Sequence, residues 1–372
     1  MKWLLIFTLI MSSELSRASL SSITGQIVVT QQHNFKVEIL TKQKDVIWGF
    51  DFVSENKIIF TERSSALKIL DLKTKKMNVI SGGPQVLAAG QGGLLDVALN
   101  PKDKTQVYLT YAFPYEKGKS VTALGVGSFK EDKLLGFKLI FKSNDANSNT
   151  IHFGSRVVFD NLGNLYLSIG DRDKRDKAQS LDSHNGKILR LKSDGTAASG
   201  NPFLKVPKAQ PEIWSLGHRN PQGLAYDSET DSLWEAEFGP RGGDELNLIQ
   251  SGENYGWPKV TYGREYWGPS IGVKKQKGFV EPIAYWVPSI SPSGVMLYRG
   301  SSFKKWTGNI FLANLSSTHI RRLKIENNKV IEQEELLSEL GTRFRQIKAG
   351  PNGHIYFSTD NGELGRLIPA LK

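Results

Sequence analysis

Apolar and polar positions alternate with a period of two along most of this chain, in short runs broken by turns rich in Gly, Asn, Asp and Pro. Such runs predict strands, because successive side chains of an extended backbone point to opposite faces. Residues 48–53 (WGFDFV) turn at Ser54-Glu55-Asn56 into residues 57–61 (KIIFT), and residues 66–70 (ALKIL) follow. A second unit runs through residues 94–99, Asn100-Pro101 and residues 106–111. A third has residues 156–159, the turn 160–164, residues 165–168 and residues 187–191. Further units open at residues 223–226, 294–298 and 345–347, the last turning at Pro351-Asn352-Gly353 into residues 354–359.

Six imperfect repeats of a strand meander predict an all-β chain, a six-bladed β-propeller of four-stranded antiparallel blades. Closure of the ring predicts that residues 35–40 complete the blade that ends at residues 364–368, since a free edge invites aggregation. No G-x-G-x-x-G follows a strand and no long stripe of period 3.6 appears, which disfavours an α/β dinucleotide fold. A radial array also leaves an axial pocket where loops from every blade converge.

Composition agrees with strands and tight turns: 36 Gly, 15 Pro, 8 Trp, 11 Tyr and 18 Phe. There is no Cys, so any metal must sit on oxygen or imidazole. The net charge of +11 favours acidic partners at long range. No Lys/Arg block is interleaved with aromatics, however, and no nucleic-acid partner is expected. The first residues run basic (Met1-Lys2), apolar (residues 3–11) and small (Ser16-Arg17-Ala18). That order reads as a secretory signal peptide over residues 1–18, followed by one catalytic domain over 19–372, exported to the periplasm or medium. No membrane insertion is expected after cleavage.

Chemistry concentrates in residues 217–223 (GHRNPQG) and in the acidic, glycine-rich run 237–248 (EFGPRGGDELNL). The motif Gly217-His218-Arg219-Asn220 precedes the opening strand of the fourth repeat. Gly90-Gln91-Gly92-Gly93, Ile151-His152-Phe153-Gly154 and Thr342-Arg343-Phe344-Arg345 hold the same place in the second, third and sixth. Equivalent positions in a radial repeat converge on one end of the axis. Each residue also has a plainer role available. His152 could be a loop hydrogen-bonder, and Arg219 a salt-bridge partner of Asp227 or Glu237. Arg343 and Arg345, at i and i+2, share one face of an extended segment, which needs an anion if buried and is otherwise a solvated edge. Asp244 and Glu245 could cap a turn, and residues 239–243 hold glycines suited to positive φ. His218 is assigned a structural hydrogen bond.

The motifs GQGGLLDVAL, HFGSRVVFDNLGNLYLSIGD, HNGKILRLKSDG, GHRNPQGLAYD, EFGPRGGDELNLI, NYGWP, PSISPSG and TRFRQI together resemble soluble aldose sugar dehydrogenases. That family uses pyrroloquinoline quinone (PQQ) and is related to soluble quinoprotein glucose dehydrogenase. The resemblance runs in order over nearly all of residues 19–372, and it too implies a six-bladed propeller. It implies that His152 is the general base for the sugar's anomeric hydroxyl as hydride leaves C1, and that Arg219 and Asn220 lie beside the quinone oxygens. It places Gln91 at the same rim and sets Arg343 and Arg345 facing the tricarboxylate cofactor. It further implies a calcium ion on the carbonyls of Gly239 and Pro240, and a second, structural calcium on Glu245 and the carbonyl of Tyr255. The expected partners are an aldose and an external electron acceptor.

One position departs from the pattern. Several relatives carry a Lys in the blade-five loop against a cofactor carboxylate, where this chain has Ser316. Arg343 and Arg345 are then left with more of the neutralising role. The long insertions that shape the glucose pocket and dimer interface of the glucose dehydrogenase are absent, which favours a broader aldose preference and a monomer. Two other classes stay open at this point: a calcium-dependent lactonase, needing an axial ring of carboxylates, and a non-catalytic propeller scaffold.

Overall fold

The computed structural model describes residues 19–370, and the proposed signal peptide lies outside them. Two strands precede the first full blade, β1 (Ile27–Val28) and β2 (Phe35–Lys42). Blade one is β3 (Ile47–Ser54), β4 (Lys57–Glu62), β5 (Leu67–Asp71) and β6 (Met77–Ile80). Blade two is β7 (Leu94–Asn100), β8 (Asp103–Pro114), β9 (Ser120–Lys130) and β10 (Lys133–Lys142). Blade three is β11 (Gly154–Phe159), β12 (Leu165–Ile169), β13 (Lys187–Leu191) and β14 (Ile213–Leu216). Blade four is β15 (Pro221–Asp227), β16 (Ser232–Glu237), β17 (Asp244–Ile249) and β18 (Ala284–Trp286). Blade five is β19 (Pro292–Leu297), β20 (Ile310–Asn314), β21 (Ile320–Glu326) and β22 (Lys329–Leu336). Blade six is β23 (Phe344–Ala349), β24 (Ile355–Thr359) and β25 (Glu363–Pro369).

Each blade is an antiparallel meander, so the six-bladed propeller expected from the repeats is the fold. Strand β2 pairs with β25, Phe35 opposite Pro369 and Ile39 opposite Gly365, and closes the ring as the alternation predicts. Strand β1 adds a fifth strand outside β2. The regular helices among the described residues are short 3₁₀ turns, and none is long and apolar enough to cross a membrane.

Apolar residues fill the seams between blades rather than one central core. Ile59, Leu67 and Ile69 of blade one meet Leu94, Val97 and Leu109 of blade two. Phe303, Trp306 and Phe311 meet Phe344 and Phe357 across the seam between blades five and six. Each fully buried side chain of this kind contributes about 1.5–3 kcal/mol.

The innermost strand of every blade carries an irregularity of register near its start. It falls between Ile47 and Gly49, Leu94 and Val97, Gly154 and Val157, Pro221 and Gly223, Pro292 and Gly294, and Phe344 and Gln346. Bulges of this kind bend a strand and re-aim a side chain. Here the re-aimed residues meet on the axis. Arg156 donates to Asp96 Oδ1 (2.8 Å), the Gln222 carbonyl (2.9 Å) and the Ser293 carbonyl (3.4 Å), and it lies over the Trp48 ring. Arg345 donates to Gln222 Oε1 (2.8 Å) and Ser293 Oγ (3.2 Å). Trp48, Asp96, Arg156, Gln222, Ser293 and Arg345 thus give one polar hub with a contribution from each blade.

Candidate active site

The loops that enter the innermost strands gather at one end of this hub. His152 precedes β11 with φ of 55°, a left-handed conformation that costs a non-glycine residue energy and persists only when neighbours hold it. Its N–H donates to Gln91 Oε1 (2.8 Å), while Gln91 N–H donates to the Thr150 carbonyl (2.7 Å). On the ring, Nδ1 lies 2.7 Å from Asp171 Oδ1. Asp171 follows β12 and is fixed on all sides. Its N–H donates to the Arg219 carbonyl (2.7 Å), and its carboxylate accepts from Trp257 Nε1 (2.8 Å) and Asp173 N–H (2.8 Å). Burial works against its charge, but the His152 hydrogen bond, the Arg219 cation and the Asp173 N–H outweigh it and hold the carboxyl below its usual range. Asp171 is therefore an anion that fixes the His152 ring through Nδ1, and Nε2 has no hydrogen-bond partner among the described residues.

Arg219 and Asn220 enter from the adjacent blade. Both backbone N–H groups donate to Glu237 Oε2, at 2.5 and 3.3 Å. The Arg219 guanidinium donates to the Phe238 carbonyl (3.0 Å) and lies 5.5 Å from the Trp257 ring. It has no carboxylate partner among the described residues; Asp227 is taken by Arg299 at 2.7 Å. Asn220 Oδ1 accepts Gly154 N–H (3.1 Å), and its Nδ2 is buried without a partner.

Arg343 and Arg345 do share a face, and the anion they meet is Asp360, through Nε at 2.9 and 2.7 Å. They differ in what remains free. The Arg345 side chain is 8 % exposed and bound into the axial hub, whereas that of Arg343 is 47 % exposed. Arg343 also reaches the Leu315 carbonyl (3.1 Å), beside Ser316, whose Oγ donates to the Ser289 carbonyl (3.0 Å). A guanidinium is thus delivered next to the position where the expected Lys is missing.

Of the three carboxylates in the acidic run, Glu237 holds the Arg219 loop, and Asp244 and Glu245 differ from it and from each other. Asp244 accepts the N–H groups of Gly239, Ile290 and Ser291, at 2.8, 2.6 and 2.7 Å, and so ties blade four to the entry of blade five. Glu245 is pushed well above its usual range by burial and then by repulsion from Glu237. The Pro240 carbonyl accepts Arg264 N–H (3.1 Å). Tyr255 donates its hydroxyl to the Leu248 carbonyl (2.7 Å) and stacks on His218. His218 lies between Ser215 Oγ (2.9 Å) and Glu237 Oε1 (3.2 Å), remote from the outward edge of His152 in its bonding.

The donors fit an acceptor-rich cofactor. The orphaned Asn220 Nδ2, the Arg219 guanidinium and the outer edge of Arg343 are hydrogen-bond donors or cations with capacity to spare. Carbonyl oxygens at Gly239 and Pro240 are hard ligands suited to calcium but carry no formal charge. The anionic share of that ion's ligands would have to come from the cofactor. Glu245 brings a buried carboxylate with no Lys or Arg partner among the described residues, which would suit a cation.

Sequence reasoning missed Asp171, Trp257 and Asp360; Glu237, expected as a salt-bridge partner of Arg219, binds its backbone N–H instead. Asp171 had a topological signal. A strand that leaves the turn at residues 160–164 must end at the rim, so the Asp in SIGD falls beside the His152 loop. Asp360 lies in the turn between β24 and β25 at the same end.

The fold and these residues define a six-bladed propeller enzyme with a histidine–carboxylate pair and free cationic donors at one end of its axis. The profile of the family described as Glucose / Sorbosone dehydrogenase matches residues 44–368, and the chain belongs to that family. It is 37% identical over 343 residues to aldose sugar dehydrogenase YliI of Escherichia coli, covering 90% of this chain and 92% of that one. The apo form of the soluble aldose sugar dehydrogenase from Escherichia coli superposes with a TM-score of 0.87 at 35% identity, covering 90% and 100%. The PQQ-bound aldose sugar dehydrogenase of Streptomyces coelicolor gives 0.75 at 25% identity, covering 90% and 98%. The protein is an oxidoreductase, an aldose sugar dehydrogenase, rather than a lactonase or an inert scaffold.

Proposed function

We propose that this dehydrogenase depends on calcium and pyrroloquinoline quinone and oxidises cyclic aldoses at C1, releasing the lactone. The His152–Asp171 pair carries the reading: an oriented imidazole with a free Nε2, backed by an ionised carboxylate at 2.7 Å. His152 Nε2 takes the proton of the anomeric hydroxyl, and Asp171 stabilises the imidazolium that results. The quinone, when bound, supplies the acceptor for the hydride leaving C1, and an external electron acceptor takes the electrons onward.

Arg219 and Asn220 Nδ2 are the donors that would hold the quinone oxygens. Arg343 binds a cofactor carboxylate with its free edge, and Arg345 adds charge from behind, already held by Asp360. Gln91 keeps the strained His152 backbone in place. The carbonyls of Gly239 and Pro240 would hold one calcium ion, which would supply Lewis-acid polarisation. Glu245 and the Tyr255 carbonyl hold a second, structural one. We further infer cleavage after residue 18, export of residues 19–372 as one domain, and a monomer with broad aldose preference.

Purified apo-protein supplied with calcium and the quinone is expected to reduce a dye with a panel of aldoses, in a calcium-dependent way. Lactone hydrolysis without quinone would point instead to a hydrolase. His152→Ala is expected to keep cofactor binding, followed by absorbance, and to lose turnover by about 10²- to 10⁴-fold. Unchanged turnover would remove His152 from the role of base.

A further inference from the structure

The seam between blades three and four is apolar at its lower half and polar above. Leu233 and Ile249 pack on Tyr166 and Ile188 of blade three. Alternation then carries Glu235, Glu237, Asn247 and Glu245 onto the same face, all buried. The opposite face, with Trp234, Ala236 and Leu246, belongs to the core shared with blade five.

Ligating atoms of His218, Glu235 and Glu237 lie within 4.8 Å of one another. Each group is anchored on one side and turned toward the others on its second side. Glu237 Oε2 accepts the Arg219 and Asn220 N–H groups, leaving Oε1 3.2 Å from His218 Nδ1. His218 Nε2 is 2.9 Å from Ser215 Oγ. Glu235 Oε2 accepts Asn247 Nδ2 (3.0 Å), while its Oε1 is buried with no partner. Neither glutamate pairs with a Lys or Arg among the described residues, and such uncompensated buried carboxylates are costly.

We propose that His218 Nδ1, Glu237 Oε1 and Glu235 Oε1 form a site for a divalent transition-metal cation. One imidazole with two carboxylates suits Zn²⁺, Mn²⁺ or Fe²⁺, whereas Ca²⁺ takes six to eight oxygens. Ser215 accepts the Nε2–H and so orients the ring, as outer partners do for metal-binding histidines. The ion lies under the loop that carries Arg219 and Asn220, because the far oxygen of Glu237 holds both of their N–H groups. Glu245, assigned above to a structural calcium ion, stands opposite Glu237 on the same face and shares Asn247 with Glu235, and Tyr255 stacks on His218; this ion would neighbour that calcium while drawing on different side chains. The site does not rest on the quinone reading.

The test is titration of the chelator-stripped protein with Co²⁺ in saturating Ca²⁺, read by visible absorption and by metal content after gel filtration. One Co²⁺ per chain is expected, together with a rise in melting temperature. Glu235→Gln, a neutral isostere, is expected to weaken binding at least about 10-fold, and Ser215→Ala to weaken it by about 10-fold. The Ser215 variant keeps the comparison available if the Glu235 variant does not fold. Folded wild-type protein that takes up no Co²⁺ beside Ca²⁺ would overturn the site, as would equal affinity in the Glu235→Gln protein.

Discussion

Lys187 opens β13 with its side chain buried and its Nζ donating to the carbonyls of Lys177 (2.8 Å), Ala178 (3.1 Å) and Asn185 (2.8 Å). No carboxylate touches it among the described residues, and burial pushes its pKa down to about 7 from 10.5. The unfolded chain therefore binds the extra proton between these values, and folding stability rises with pH across that window. This contribution is fully present above about 10.5 and is lost as pH falls to about 7. Lys187→Met should abolish that part of the slope, up to about 1.4 kcal/mol per pH unit. Urea unfolding of both proteins from pH 7 upward measures the difference; parallel curves would show that Lys187 stays charged. The i, i+2 spacing of Arg343 and Arg345 announced a need for an anion, but Asp360 comes from a different turn and only the folded chain brings it within 2.7 Å.

Strand alternation was legible because each blade packs one face against the next, so a two-residue period is written into every innermost strand. The register irregularities were not, since an extra residue leaves the alternation intact on either side. Their stitching shows how much they matter. Thr61, Thr110 and Ser168 accept the N–H of Gly49 (3.0 Å), Asp96 (2.8 Å) and Arg156 (2.9 Å) within their own blades. They donate in turn to the carbonyls of Leu95, Ser155 and Pro221 in the next blade. Blades four and five place Ala236 and Ala313 opposite the bulge and lack this link. Ser168→Ala strands a buried N–H and a buried carbonyl at once, and about 1–3 kcal/mol of stability should be lost. Chemical denaturation reads this directly. A loss under about 0.5 kcal/mol would mean that water replaces the hydroxyl, as it could already do at Ala236.

The ring itself rests on one non-local pairing. Strand β2 supplies the fourth strand of blade six, and it brings Phe35 and Val37 into the cluster that includes Trp306, Phe344 and Leu367. Every other blade is built from consecutive strands, so the cost of closure falls on joining residues 35–42 to residues 363–369. Removing residues 19–42 should expose the edge of β25 together with an apolar seam. Such an edge invites pairing with another chain. The expected result is a markedly lower melting temperature and concentration-dependent light scattering, with dehydrogenase activity lost as the Arg343–Asp360 rim loosens. Removing only residues 19–28 takes away η1 (Leu20–Ile23) and β1. It leaves β2 paired with β25, so closure persists and only the contributions of Leu20, Ile23 and Val28 to the cluster go. The two truncations therefore separate closure from mere shortening. Equal stability of the two would show that blade six holds as a three-stranded sheet and that the ring does not depend on its N-terminal strand.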